Sequence, residues 1–127
     1  LHQILQLHMS DGLVVIPTYN EIENIDAIVR ATMALPSGFD ILIVDDNSPD
    51  GTSLRVQELQ QEYPGKLFLE VRSGKNGLGT AYVHGFKWAI AKKYDYIFEM
   101  DADFSHNPAD LERLHLACVK GADMAIG

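Results

Sequence analysis

The stretch ILIVDDNSPDGT, residues 41–52, runs from four aliphatic residues into two carboxylates and then into a cluster of turn formers. So short a run without a polar residue reads as a strand buried on both faces, the habit of a parallel sheet. Asp45-Asp46 closes the strand, and Asn-Ser-Pro-Asp-Gly interrupts the chain before the next helix. Two readings of the acidic pair stay open: an Asx-type turn leading into Pro49-Asp50-Gly51, or a carboxylate placed for ligand contact. Asp46 is the better ligand candidate. Asp50 and Gly51 read as turn chemistry, with Thr52 capping the helix that follows.

The same grammar repeats on both sides. A strand-like run, Gly12–Ile16, precedes PTYNE and a helical pattern placing Ile22, Ile25, Ile28, Val29 and Met33 on one face. Asn20 suits its N-cap, and Glu21 and Glu23 its first turn. A second helix is expected over Ser53–Tyr63, stopped by Pro64-Gly65, and a third strand over Lys66–Val71. The loop RSGKNGLG leads to a helix with Tyr82, Phe86, Ala89 and Ile90 on one side. Tyr94–Met100 reads as a fourth strand ending in DADFSH. Asn107-Pro108 fits an N-cap and first helical residue. Leu111, Leu114 and Cys118 then face inward, Gly121 ends the helix, and Asp123–Gly127 begins a fifth strand.

Strand and helix thus alternate four times before a final strand, the order of a doubly wound parallel sheet. Such sheets bind ligands beyond the carboxyl ends of their strands. All four unusual polar clusters (PTYNE, DDNSPDGT, RSGKNGLG and DADFSH) fall at those ends.

The bulk composition narrows the function. The 127 residues are enough for one core, and the net charge of −8 comes with no basic tract, which argues against a nucleic-acid partner. The single cysteine, Cys118, permits no internal disulfide and fits a reducing compartment. No apolar run approaches the ~18 residues of a membrane span. Residues 1–10 read as an N-terminal extension, and 11–127 as the functional unit.

Asp is 11 of the 127 residues, so one D-x-D by chance is unremarkable. Its position raises its weight. Residues two apart on extended chain point the same way, so Asp101 and Asp103 converge and repel unless a cation lies between them. Hard carboxylate oxygens suit Mg²⁺ or Mn²⁺; a solvated strand end is the bland alternative. Glu99, in phase but deeper, reads as a partnered or edge-facing residue. The Gly77-Leu78-Gly79 turn fails the dinucleotide pattern at Tyr82, and no P-loop is present. Its glycines read as permitting a tight turn and a close helix approach. Arg72 and Lys75 read as solvated surface, with phosphate contact as the alternative. His106 is expected to hydrogen-bond at the start of the last helix, and His84 and His115 to be satisfied helix residues.

VVIPTYNE, IVDDNSPDGT, GLGTAYVHGF and MDADFSHNP, in this order, resemble the family 2 glycosyltransferases, and within them the dolichol-phosphate (polyprenol-phosphate) mannosyltransferases. The resemblance runs from Leu13 to Gly127. It implies a Rossmann-like GT-A fold, truncated here on its C-terminal side, with GDP-mannose as donor, a polyprenyl phosphate as acceptor and inversion at the sugar. It further implies that Pro17, Tyr19 and Glu21 hold the nucleotide, and that Val44 and Asp46 contact its base and ribose. The resemblance also places Asp101 and Ala102 along the nucleotide-sugar site, and implies that Asp103, with Asp101, is the catalytic carboxylate pair for the divalent metal. Ser105 stands where some relatives carry a metal-contacting Gln.

Family members run well past this point, so the resemblance implies the donor-binding half, with weak donor binding and little transfer by this chain alone. It also implies a cytoplasmic protein, peripheral at a membrane face. Two alternatives remain: a family 2 enzyme using UDP-glucose or UDP-GlcNAc, and a phosphoacceptor receiver domain, whose acidic pocket Asp45-Asp46 and Asp101 would mimic.

Overall fold

The structure, a computed structural model, describes residues 11–73 and 77–119. Lys75, Gly121, the expected fifth strand over Asp123–Gly127 and the extension at residues 1–10 lie outside the described residues.

Four strands, β1 (Gly12–Thr18), β2 (Asp40–Asp45), β3 (Leu67–Val71) and β4 (Tyr96–Glu99), form one parallel sheet in the order β3-β2-β1-β4. Helices α1 (Ile25–Met33), α2 (Thr52–Glu62), α3 (Leu78–Ala91) and α4 (Asp110–Val119) alternate with them. The expected α/β alternation holds, with strand ends displaced by one or two residues.

The two central strands are buried on both faces, and their period of two sorts side chains into two cores. Val14, Ile16, Ile41 and Ile43 pack with Ile25, Ile28 and Val29 of α1, Val56 and Leu59 of α2, and Leu111 of α4. Leu13, Val15, Leu42 and Val44 pack with Ala81 and Ala89 of α3. Leu114 and Cys118 reach the first core, as their spacing predicts.

The sequence reading misplaces three residues. Ile22 is 39% exposed, and Asn20 is not the cap of α1, which starts a turn later at Ile25. The PTYNE segment is drawn away from the helix by the neighbouring loop. Asn20 N–H donates to Ser48 Oγ (2.9 Å), Glu21 N–H to Thr52 Oγ1 (3.1 Å) and Ile22 N–H to Asp50 Oδ2 (3.1 Å). Ile90 is 67% exposed, because the inner face of α3 runs through Ala81, Gly85 and Ala89.

Gly85 is also where the close helix approach lies. A Cβ on Gly79 would meet nothing within 4 Å, whereas one on Gly85 would sit 2.4 Å from Val15 Cγ1. Gly77 serves the turn, at φ +98°. A helical Gly→Ala change ordinarily gains stability from propensity. Here Gly85→Ala is expected to cost about 2–3 kcal/mol by overpacking α3 against β1. Urea unfolding of Gly85→Ala, and of Gly85→Ala with Val15→Ala, checks it: the second change should restore part of the loss. A stabilised single variant would refute the contact.

A surface ion network ties α1 to α2. Arg55 donates to both Asp26 oxygens (2.6 and 2.5 Å) and to Glu58, and Arg30 to both Glu62 oxygens. The hydrogen bonds from Arg55 hold the Asp26 carboxyl below its ordinary value, and those from Arg30 do the same for Glu62. A carboxyl lowered on folding stabilises above its unfolded pKa, near 4, and that contribution fades as the pH falls through the folded value. Both pairs are solvent-screened, so the effect is small. Asp26→Asn should therefore narrow the difference in melting temperature between pH 6 and pH 3; an unchanged difference would remove Asp26 from the acid response.

Candidate nucleotide-sugar site

The carboxyl ends of β1, β2, β3 and β4 bring all four polar clusters onto one rim, the one after β3 through Arg72, Gly77 and Leu78. Two of them are laced together through Asp45. Its carboxylate is fully buried and accepts from Thr18 Oγ1 (2.6 Å), Ser48 Oγ (2.7 Å) and Ser48 N–H (2.9 Å). The adjacent backbone joins in, Asp46 N–H donating to the Thr18 carbonyl (3.0 Å). Asp45 is thus the Asx-type turn residue. Thr52 is the first residue of α2 and not its cap, a position held by Gly51; Asp50 Oδ1 accepts from Thr52 N–H and Oγ1 just before the helix. Burial pushes the Asp50 carboxyl up, but its hydrogen bonds with Thr52 and the Ile22 amide leave it below the usual range.

A cleft of about 250 Å³ opens at this rim, lined by Pro17, Thr18, Tyr19, Glu21, Asp46, Gly77, Leu78, Ala81, Asp101, Ala102 and Asp103. Seven of the eight residues expected in a nucleotide-sugar site therefore meet around it. Val44 does not: its side chain is fully buried in the α3-side core.

The DADFSH segment is held from two sides. Tyr82, on α3, donates its hydroxyl to Asp101 Oδ1 (2.7 Å). Burial, then that bond and the surrounding carboxylates, push the Tyr82 phenol far up, so it stays a donor. Ser105 Oγ lies 3.4 Å from Asp101 Oδ2, and Ser105 N–H donates to Asp103 Oδ1 (2.9 Å). The bonds from Ser105 hold the Asp103 carboxyl below its ordinary value, so it is ionised at neutral pH. Burial, and then the charge of Asp101, push the Glu99 carboxyl up. Phe104 sits between the pair and Ser105 in the left-handed region (φ +61°), unusual for an aromatic residue.

Asn107 Oδ1 accepts from Ala109 N–H (3.0 Å) in the turn that leads into α4, which starts at Asp110, two residues later than the expected Pro108. His84 Nε2 meets Glu70 Oε1 at 3.1 Å. His115 Nδ1 meets Ser37 Oγ at 3.2 Å; its buried Nε2, 3.2 Å from Asp11 Oδ1, is not aligned for a hydrogen bond.

Arg72 is the clearest departure from the sequence reading. It is not solvated surface. Its side chain is only 12% exposed and grips Asp46, itself 8% exposed, with both prongs of the fork: Nε to Oδ1 at 2.6 Å and Nη2 to Oδ2 at 2.9 Å. Nothing local announces this pairing, since the partners are 26 residues apart. The only hint was that RSGKNGLG belongs to the same rim.

Residues 13–127 match the sequence model described as "Glycosyl transferase family 2". The chain belongs to that family. Family 2 membership bears out the resemblance carried by the four blocks and removes the receiver-domain alternative. Asp45, one of the acids in that mimicry, is committed to three internal donors.

This family 2 chain is 49% identical over 116 residues to a polyprenol monophosphomannose synthase of Mycolicibacterium smegmatis, covering 91% of this chain and 43% of that protein. It is 47% identical to an undecaprenyl-phosphate mannosyltransferase of Micrococcus luteus, covering 91% and 46%. It is 41% identical to a dolichol-phosphate mannosyltransferase of Pyrococcus furiosus, covering 90% and 32%. The chain thus spans less than half the length of these curated relatives. Among solved structures it resembles a mannosyltransferase from Pyrobaculum calidifontis in complex with GDP-Man and Mn²⁺, at TM-score 0.56 and 25% identity, over 62% of this chain and 24% of that one. The fold is the Rossmann-like GT-A arrangement that the sequence suggested. No helix among the described residues is long and apolar enough to cross a membrane.

Proposed function

We propose that this chain is the donor-binding part of an enzyme that transfers mannose from GDP-mannose to a polyprenyl phosphate with inversion. One observation carries the reading: Asp101 and Asp103 share a single cleft with Pro17, Tyr19, Glu21, Asp46 and Ala102. The names of the relatives supply the sugar, donor and lipid classes.

Asp101 and Asp103 suit a divalent cation, Mg²⁺ or Mn²⁺. Among the described residues no group of three or more His, Cys, Asp or Glu forms a closed cage. Two hard carboxylates without a third fit an ion that takes its other ligands from phosphate oxygens and water. When bound, the cation supplies Lewis-acid stabilisation of the diphosphate leaving group.

The protein's own part is preorganisation. Tyr82 and Ser105 hold the two carboxylates in place before the donor arrives, so little reorientation is needed at the moment of reaction. The acceptor is a phosphate, ionised near neutral pH, so it needs alignment for in-line attack more than a general base.

Calorimetric titration of the full-length protein with GDP, UDP, GDP-mannose and UDP-glucose, with and without Mn²⁺, tests the reading. Metal-dependent preference for GDP-mannose is expected. Tighter binding of UDP-glucose would transfer the assignment to the UDP-sugar enzymes, and no nucleotide binding would end it.

A further inference from the structure

We propose that Arg72 is a positioning residue for the donor, fixing the wall of the cleft that reads the end of the nucleotide remote from the phosphates. The inference rests on the donor-binding reading given above and adds to it a residue outside the cleft lining.

The geometry is that of a clamp. Arg72 follows β3 directly, and its own N–H donates to the Asp45 carbonyl (2.8 Å), extending the sheet register by one bond. Its guanidinium then reaches three places at once. It takes both oxygens of Asp46 at the end of β2. Nη1 donates to Thr80 Oγ1 (3.0 Å) in the first turn of α3. Nη2 also lies 3.3 Å from the Gly77 carbonyl, to which Thr80 Oγ1 itself donates (2.8 Å). Asp46 and Gly77 both line the cleft, and Arg72 contacts both.

Chemistry gives this clamp a consequence for the ligand. An unpaired carboxylate in a cleft that admits a nucleoside diphosphate would repel the diphosphate and rotate freely. A forked guanidinium compensates its charge and fixes its plane, which a lysine, a point charge on a flexible stem, does not. A fixed carboxylate is an acceptor of set direction and selects ligands that present N–H or O–H donors to it, such as a guanine edge or a ribose. Arg72 therefore acts through Asp46 on recognition, and the reacting groups at Asp101 and Asp103 lie beyond its contacts.

The test uses the full-length protein with Arg72→Lys, Asp46→Ala and the double variant. For Arg72→Lys, KM for GDP-mannose should rise about tenfold with kcat within about twofold. The preference for GDP over UDP as competing inhibitors should fall by about the same factor. In the Asp46→Ala background the lysine substitution should have little further effect, the mark of a residue acting through its partner. Additive effects, or an unchanged KM and nucleotide preference, would overturn the proposal. So would a fall in kcat at unchanged KM.

If Arg72→Lys does not fold, Thr80→Val loosens the same clamp from its exposed side. It should raise KM by about two- to fivefold; no change would count against the clamp. An unsubstituted protein without GDP preference would overturn the donor reading as well, whereas unchanged variants of a GDP-preferring protein overturn only the role of Arg72.

Discussion

Asp103→Ala in the full-length protein is expected to lower mannose transfer at least about a hundredfold, the usual cost of removing one preorganised group that stabilises transition-state charge. The expectation rests on the proposed function and on the geometry of the pair. Asp103 is exposed, ionised and held by the Ser105 backbone, and no core contact depends on it. Its loss should leave unfolding stability within about 0.5 kcal/mol. The diagnostic comparison is GDP affinity with and without Mn²⁺: the unsubstituted protein should gain affinity from the metal, and the variant should not. Asp101→Asn makes a useful partner, because an amide oxygen can still accept from Tyr82 and keep the segment in place. Transfer by Asp103→Ala at the normal rate, or unaffected transfer in EDTA, would show that the carboxylate pair is a solvated strand end.

Asp45→Ala is expected to give the largest loss of stability, about 4 kcal/mol, although Asp45 touches no ligand in the proposed site. Its buried carboxylate satisfies three donors, and each donor left without a partner in the interior costs roughly 1–3 kcal/mol. Asp45→Asn should lose about half as much. The amide oxygen can replace Oδ1 and serve the hydroxyls of Thr18 and Ser48, while its NH₂ meets the Ser48 N–H donor-to-donor. Urea denaturation of the three proteins gives the order directly. The loops that Asp45 joins carry Tyr19, Glu21 and Asp46, so nucleotide affinity should fall in the same order. An Asp45→Ala protein within about 1 kcal/mol of the parent would mean that the rim is held elsewhere.

Family-scale features were legible because they are local. Alternation of short apolar runs with helical periods is written in neighbouring residues, and so are turn formers at strand ends and a D-x-D on extended chain. Hence the α/β order, the shared rim and the positions of Asp101 and Asp103 could be read directly. Asp46 could be preferred as the ligand candidate, but the partners of Asp45 and Asp46 could not be read in this way, because both stand at one strand end with the same chemistry. Their difference lies in which side of the sheet end each faces: Thr18 and Ser48 enclose the first, and Arg72 and the cleft receive the second.

The errors have one origin. Helix signals in their own segment make Asn20 a cap and Ile22 core, yet the amides of 20–22 are claimed by side chains 28 to 31 residues later. Ile90 was assigned inward by apolar character, while Gly85 decides which face of α3 can approach β1. Arg72 reads as solvated from its sequence because a charged residue in a glycine-rich loop normally is.

The order of elements, the parallel sheet and the rim where a ligand meets it follow from local sequence. Which rim residues hold one another, and which face the cleft, follows from contacts between distant segments. Periodicity and turn chemistry are set by bonds within a few residues. A forked ion pair, a buried carboxylate hub or a helix seated on a glycine exists only once distant strands lie about 5 Å apart in a sheet.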